Sequence, residues 1–169
     1  MTKVCAALLL VAVCLGCGYR LAGENPNPGP VDLQGKRIAI HIFKNLTSEP
    51  DIEYIITRDV VAEFIRTPNV KVVRRDEQAD YILQGEVTGY NKELLAMDYQ
   101  GRALYYRLII TLKLELIDSS GKVSMALAPI SEDAEYHTAL DVEVNKARER
   151  EALNRASQEL AQLLAGMLL

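Results

Sequence analysis

Beyond residue 17 the chain contains no cysteine: all three, Cys5, Cys14 and Cys17, fall at its start. Histidine is nearly as scarce, with only His41 and His137, far apart and without HxH or HxxxH spacing, which argues against a metal site. His41 sits among isoleucines in a strand pattern and His137 precedes a helix pattern, ordinary settings for a histidine without a chemical role. No P-loop, no GxGxxG and no GxSxG occurs. Carboxylates are scattered, and Glu53, Asp59 and Glu63 share a helix whose exposed face explains them. A chemical step would need a positioned nucleophile, base or metal. The expectation is therefore a protein that is not an enzyme and holds no cofactor, unless a covalent lipid is counted.

What is present begins at the N-terminus. Lys3 supplies one positive charge, residues 4–13 form an apolar run of about ten, and small residues follow, the layout of a cleaved export signal. The run is too short to span a membrane, and no later stretch reaches the roughly 18 apolar residues a span requires. Cys14-Leu15-Gly16-Cys17 resembles the lipobox of bacterial lipoproteins, in which the second cysteine here, Cys17, would be acylated and become the new N-terminus. Cleavage there leaves one cysteine, so no internal disulfide can form, and acylation accounts for the leftover thiol in an oxidising compartment. Gly18 is not acidic, which by the same resemblance implies the periplasmic face of the outer membrane.

Removing Lys3 with the leader leaves 18 of the 19 basic residues against 23 acidic ones, a formal charge of −5, unlike that of a general nucleic-acid binder. Three segments are expected: a signal peptide over 1–16, a lipidated cysteine and tether over 17–35, and a single domain over 36–169. The tether contains Pro26, Pro28, Pro30, Gly23 and Gly29, which block helix and sheet ladders alike.

The domain opens with a strand over 36–44, where Ile38, Ile40 and Ile42 alternate with Ala39, His41 and Phe43. A helix to Arg66 follows, with Ile52, Ile55, Ile56, Val60, Phe64 and Ile65 at helical spacing. Ser48 and Asp51 have capping-box spacing, Pro50 suits a first turn, and Thr67-Pro68 stops the far end. A short strand over 70–74 then implies a crossover that makes the first two strands parallel neighbours. Residues 79–97 and 102–118 read as a long antiparallel hairpin turning at Asp98-Tyr99-Gln100-Gly101. In its second arm Tyr106, Leu108, Ile110, Leu112, Leu114 and Leu116 face one way. After a turn at Asp118-Ser119-Ser120-Gly121, residues 122–136 return as a strand broken at Pro129. A last helix is expected from Thr138, with Asp141 as capping partner, to about 167. Its apolar stripe is Leu153, Ala156, Leu160, Leu163, Leu164 and Met167, and its charged face carries Lys146, Arg148, Arg150, Glu151, Arg155 and Glu159. The fold class is α+β: two helices on one face of a four- or five-stranded mixed sheet with a long β-hairpin.

Several stretches together resemble the lipopolysaccharide-assembly lipoprotein family, LptE, also called RlpB. They are Cys17-Gly18-Tyr19-Arg20-Leu21, Asn45-Leu46-Thr47 before the helix, Ala79-Asp80-Tyr81-Ile82-Leu83-Gln84-Gly85, and Gly101 with Tyr105-Tyr106-Arg107-Leu108. The resemblance covers nearly the whole mature chain and rests on order and combination. It implies two helices on a mixed sheet, a seat inside the lumen of a large outer-membrane β-barrel, LptD, and binding of lipopolysaccharide during its insertion. Ile38 to Thr47 also resembles other outer-membrane lipoproteins, regulators of cell-wall synthases or curli-type secretion components, and the long hairpin favours the first family.

If lipopolysaccharide is the ligand, its phosphates call for arginine and lysine. Arg102 beside the hairpin turn and Arg107 on the outward face are the first candidates, with Lys122 and Lys146 after them. The basic positions of the family fall near the hairpin turn and the start of the last helix, where this chain has Tyr99 and Asp141. Leu94, Leu95, Met97 and Tyr99 put apolar side chains at the hairpin tip, a candidate contact with the barrel.

Each buried methylene of an acyl chain contributes about 0.8 kcal/mol, and one chain alone anchors marginally, so two or three chains on Cys17 are expected. Intact-mass spectrometry of the membrane-extracted protein should show them, and Cys17→Ser should abolish both acylation and cleavage. An unmodified wild-type N-terminus would remove the anchor from this account.

Overall fold

The computed structural model describes residues 31, 33–68 and 70–169. The leader, Cys17 and the proline-rich tether lie outside the described residues. Seven strands and two helices follow in chain order: β1 Arg37–Ile40, β2 Lys44–Asn45, α1 Ile52–Arg66, β3 Lys71–Val73, β4 Tyr81–Met97, β5 Ala103–Asp118, β6 Val123–Ala126, β7 Ile130–His137 and α2 Val142–Leu168. A short 3-10 turn, Asp76–Gln78, precedes β4. The sheet runs β3-β1-β4-β5-β6, with β2 added to β4 and β7 to β5. Five strands in continuous order with two additions make a mixed sheet somewhat larger than the four or five strands expected.

The crossover expectation holds: α1 links β1 to β3, which pair in parallel with Ile38 opposite Val72. β1 and β2 also lie parallel to the first part of β4, between Tyr81 and Val87. From Tyr90 onward β4 is paired only with β5, up to Met97 opposite Ala103. The expected nine-residue first strand is thus two short pieces separated by residues 41–43. Within that break the chain turns Phe43 into the core, where its backbone N–H donates to Thr57 Oγ1 of α1 at 3.0 Å.

β5 organises the core. Leu108, Ile110, Leu112, Leu114 and Leu116 are all buried on its helix-facing side, beside Leu83 and Val87 of β4. Over them lie Ile52, Ile56, Val60 and Phe64 of α1 and Leu153, Ala156, Leu160 and Leu164 of α2. Each such aliphatic side chain contributes roughly 1.5–3 kcal/mol on burial, well above an exposed ion pair at about 0–1 kcal/mol. Burial therefore fixes the layers. The helices run side by side in the same direction, and their seam is tied where Ser157 Oγ donates to Asp59 Oδ2 at 2.7 Å. Asp59 also accepts from Arg58 Nε at 2.8 Å, so this buried carboxylate has donors on both oxygens.

Three expectations about side chains and ends need correction. Ile65 of α1 and Leu163 and Met167 of α2, assigned to apolar stripes, are exposed. A stripe is about 100° wide, and these residues lie on its flank, where no strand or helix reaches. α1 begins without the Ser48 and Asp51 capping box: Asp51 is in the left-handed region at φ 64° and makes no side-chain cap. Asn45 organises the approach instead, accepting from Thr47 N and donating to Glu49 O at 2.8 Å and to Glu53 Oε2 at 3.0 Å. α2 starts at Val142, with Asp141 itself as the N-cap, accepting from Val144 N at 2.9 Å. Thr138 belongs to the sheet, its N–H and hydroxyl both donating to the end of β5 at Leu104 and Ala103.

The two hairpin turns are built alike. In each an aspartate carboxylate, Asp98 or Asp118, accepts backbone N–H groups two and four residues ahead, and a glycine with positive φ, Gly101 or Gly121, closes the turn. Pro129 lies between β6 and β7, which makes the expected broken strand two strands on one neighbour.

Gly85 shows why this fold demands glycine within β4. A Cβ there would lie 2.8 Å from the Phe43 ring and 2.9 Å from Leu114 Cδ2, both buried and unable to retreat. Gly85→Ala should therefore cost about 1–3 kcal/mol in chemical denaturation. A variant as stable as the wild type would show that Phe43 does not rest on this position.

Candidate functional site

The far end of the hairpin meets the start of α2. Thr138 binds the end of β5 as described, and the backbone N–H of Ala139 donates to Asn145 Oδ1 at 3.2 Å, so the loop between β7 and α2 is fixed beside the turn. A shallow cleft of about 360 Å³ lies here, lined by Asp98, Arg102, Leu104, His137, Leu140 and Asn145 among others. Around it the chain leaves Leu94, Leu95, Met97, Tyr99 (93% exposed), Leu140 (87% exposed), Val142 and Val144 open to solvent. The first four were expected from the sequence. Leu140, Val142 and Val144 were missed because residues 138–144 read as helix, although three apolar residues around a polar cap are a signal that a helix start is being used for contact. Seven exposed apolar side chains thus fall on the two segments that meet at this end, where exposed leucines ordinarily occur singly.

The candidate cations are spread over the molecule. Arg102 sits at the tip, with Nε donating to Asp98 Oδ2 at 2.7 Å. The Arg102 backbone N–H and side chain together hold the Asp98 carboxyl below the usual range. Arg107 lies on the helix-free face of the sheet, 2.9 Å from Glu135 and 3.2 Å from Asp133, and these raise its pKa. Lys146 is on α2, with Glu143 at 3.6 Å in solvent. Lys122 follows the other turn, at the opposite end of β5, roughly 50 Å from Arg102 at a strand rise near 3.3 Å per residue. One headgroup cannot bridge that distance.

A second cleft, about 340 Å³, opens between the start of α1, β4 and α2 and is lined by Glu49, Pro50, Ile55, Tyr90, Lys146, Glu149, Arg150 and Leu153. Glu149 accepts from Tyr90 Oη at 2.7 Å, Lys92 Nζ at 2.9 Å and Tyr136 Oη at 3.4 Å. Burial pushes the Glu149 carboxyl up, but Lys92 and the two hydroxyls outweigh it and leave it below the ordinary value. Burial, with Glu149 adding to it, raises Tyr90 and pushes Tyr136 up to about 12, and burial with the nearby Glu149 charge raises Glu49. The cluster binds α2 to the free arm of β4.

The two histidines are placed as follows. His41, just past β1, has Nε2 2.9 Å from Asp76 Oδ1, and Gln84 approaches its other nitrogen at 3.5 Å. His137 ends β7, meets Tyr105 edge-on at 4.7 Å and shares Thr138 O with Arg148. Among the described residues no group of three or more histidine, cysteine or acidic side chains is placed to hold a metal. Nor is any described helix long and apolar enough to cross a membrane.

Solved structures of other proteins are similar in fold to this two-layer α+β domain. An uncharacterized lipoprotein B from Nitrosomonas europaea is 19% identical, with 87% of each chain covered and a TM-score of 0.54. The hypothetical protein CT253 from Chlamydia trachomatis is 10% identical over 79% of this chain and 97% of that one, with a TM-score of 0.52. Rare lipoprotein B from Shewanella oneidensis is 16% identical over 78% and 92%, with a TM-score of 0.49. At these identities the likeness is one of fold. No curated protein sequence matches the chain. The family is given by its sequence profile: LptE, lipopolysaccharide-assembly, matches residues 35–166, and the chain belongs to that family of envelope lipoproteins.

The Glu149 cluster makes a pH prediction. A carboxylate with a depressed folded pKa contributes stability above its unfolded value, near the ordinary 4.5, and loses it as pH falls through the lower folded value. Glu149→Gln should cost about 1 kcal/mol at neutral pH, with the deficit shrinking below that value. Denaturation curves showing a deficit that stays constant from pH 7 to strongly acid conditions would contradict the cluster's role.

Proposed function

We propose that this protein binds lipopolysaccharide and seats in the lumen of an outer-membrane β-barrel of the LptD type, supporting insertion of the lipid into the outer leaflet. Family membership across residues 35–166 is the observation that carries this reading. The protein is held on the periplasmic face of the outer membrane by the lipid on Cys17, takes part through binding alone, and uses no catalytic residue. Its apolar tip, formed by Leu94, Leu95, Met97 and Tyr99 with Leu140, Val142 and Val144, supports a contact with the barrel, since apolar area of this kind favours association when covered.

Phosphates of the lipid headgroup are met by basic side chains. Of the four candidate cations, Arg102 lies at the tip itself and Lys146 on the first half of α2, one turn beyond Val142. Arg107 has two carboxylates to displace before it can accept a phosphate, and Lys122 lies at the other end of the sheet, so both contribute less. Arg102→Ala should weaken lipopolysaccharide binding by the detergent-extracted protein by roughly tenfold, the effect of one charge-assisted bond worth about 1.5 kcal/mol, and Arg107→Ala by less. Thermal midpoints should move little, because Arg102 is exposed and the half-buried Arg107 is held by ion pairs on an open face of the sheet, each worth about 0–1 kcal/mol. Unchanged binding in the Arg102 variant would place the phosphate contacts elsewhere. Recovery of a cell-wall synthase in place of a barrel from the same extract would overturn the function.

A further inference from the structure

Among the described residues six cations have neither an ion pair nor a hydrogen bond from their side chains: Lys36, Lys71, Arg74, Arg75, Lys122 and Arg150. Four of these, Lys36, Lys71, Arg74 and Arg75, belong to one edge of the sheet. Lys71 N donates to Lys36 O at 3.0 Å, Arg37 is opposite Lys71 in the ladder, and Arg74 and Arg75 follow directly on β3, the outermost strand. The carboxylates of this edge are already engaged. Asp80 is bound by Arg37 at 2.8 Å and Asp76 by His41, which leaves Glu77 as the one unpaired acid within residues 70–80. On a chain whose formal charge is −4, this edge is locally positive.

It is also the edge nearest to where the chain leaves the tether. Leu33 is buried in the core, and Lys36 and β1 follow within four residues. Thirteen residues separate Cys17 from Val31, a reach of at most roughly 40 Å at about 3 Å per residue, which keeps this edge within range of the leaflet that holds the lipid. Ile65, 65% exposed on the last turn of α1 just before β3, adds an apolar side chain at the same margin.

We propose that the β1–β3 edge, through Lys36, Lys71, Arg74 and Arg75, rests on anionic phospholipid headgroups of the leaflet that carries the anchor. Unpaired cations near a bilayer are drawn to its negative surface, at a gain of roughly fivefold in docked population per cation, screened over a Debye length. Docking there gives the domain a defined orientation on the leaflet, with the hairpin tip free for its partner. The inference rests on Cys17 as the lipid anchor.

The test uses the lipidated protein in vesicles of phosphatidylcholine, alone or with added phosphatidylglycerol. A fluorophore on Gln78→Cys, beside the edge but outside it, reports quenching by a headgroup spin-labelled lipid. Quenching is expected in the anionic vesicles, decreasing as salt is raised, and falling by roughly fivefold in docked population for each cation neutralised in Lys71→Gln and Arg74→Gln. Circular dichroism confirms the fold of the variants, and the salt titration of the unsubstituted edge stands without them. Equal quenching in neutral vesicles, or variants that quench like the parent, would overturn the docking. The intact mass of the same samples separates the two failures: missing acyl chains refute the anchor, whereas acylated protein without anionic quenching refutes the edge.

Discussion

Every layer of this protein is held against the apolar row Leu108, Ile110, Leu112, Leu114 and Leu116 of β5. On one side of that strand runs β4, on the other β6 and β7, and both helices cover the row from above. Because side chains alternate along a strand, a slip of one residue would turn all five outward and bring Arg107, Thr111, Lys113 and Glu115 into the core. The cost would be several buried aliphatic side chains at once, each worth roughly 1.5–3 kcal/mol. This burial fixes the register of the hairpin, and the register places the tip, Arg102 and the helix-free face.

Much of this was legible because it depends on periodicity. β5 alternates cleanly over its whole length, α1 and α2 repeat at helical spacing, and Asp98 and Asp118 with glycine three residues on announce their turns. The misread ends depend on local geometry that residue types leave open. Ser48 and Asp51 have capping-box spacing, yet Asn45 satisfies the groups of that loop first and Asp51 takes the left-handed conformation. Thr138 and Asp141 can both begin a helix; Thr138 is taken by the end of β5, which periodicity alone does not reveal. Gly85 was visible as part of a family motif, but its reason, the Phe43 ring 42 positions earlier in the chain, exists only once β2 has folded beside β4.

The candidate site was legible in part. The hairpin contributed its apolar tip to the sequence reading, while Leu140, Val142 and Val144 join that tip only through the docking of the 138–141 loop on β5. Charge was harder to read. Arg107 looks free in the sequence, but Asp133 and Glu135 arrive beside it from β7, a neighbour set by the sheet order. Conversely, Lys36, Lys71, Arg74 and Arg75 look like unrelated surface charges until β1 and β3 pair. The molecule thus has an apolar end at the hairpin tip and a positive edge beside the tether, and the two proposals give each a use: one toward a barrel, the other toward the leaflet.

The central claim is that the tip, rather than the opposite end of the sheet, is the partner interface. Photo-crosslinking in cells from a probe at Tyr99, compared with one at Lys122, tests it most directly, since the two positions lie at opposite ends of β5. The account predicts crosslinks to a large outer-membrane barrel from position 99 and none from position 122. Crosslinks from 122 alone, or equally from both, would contradict it.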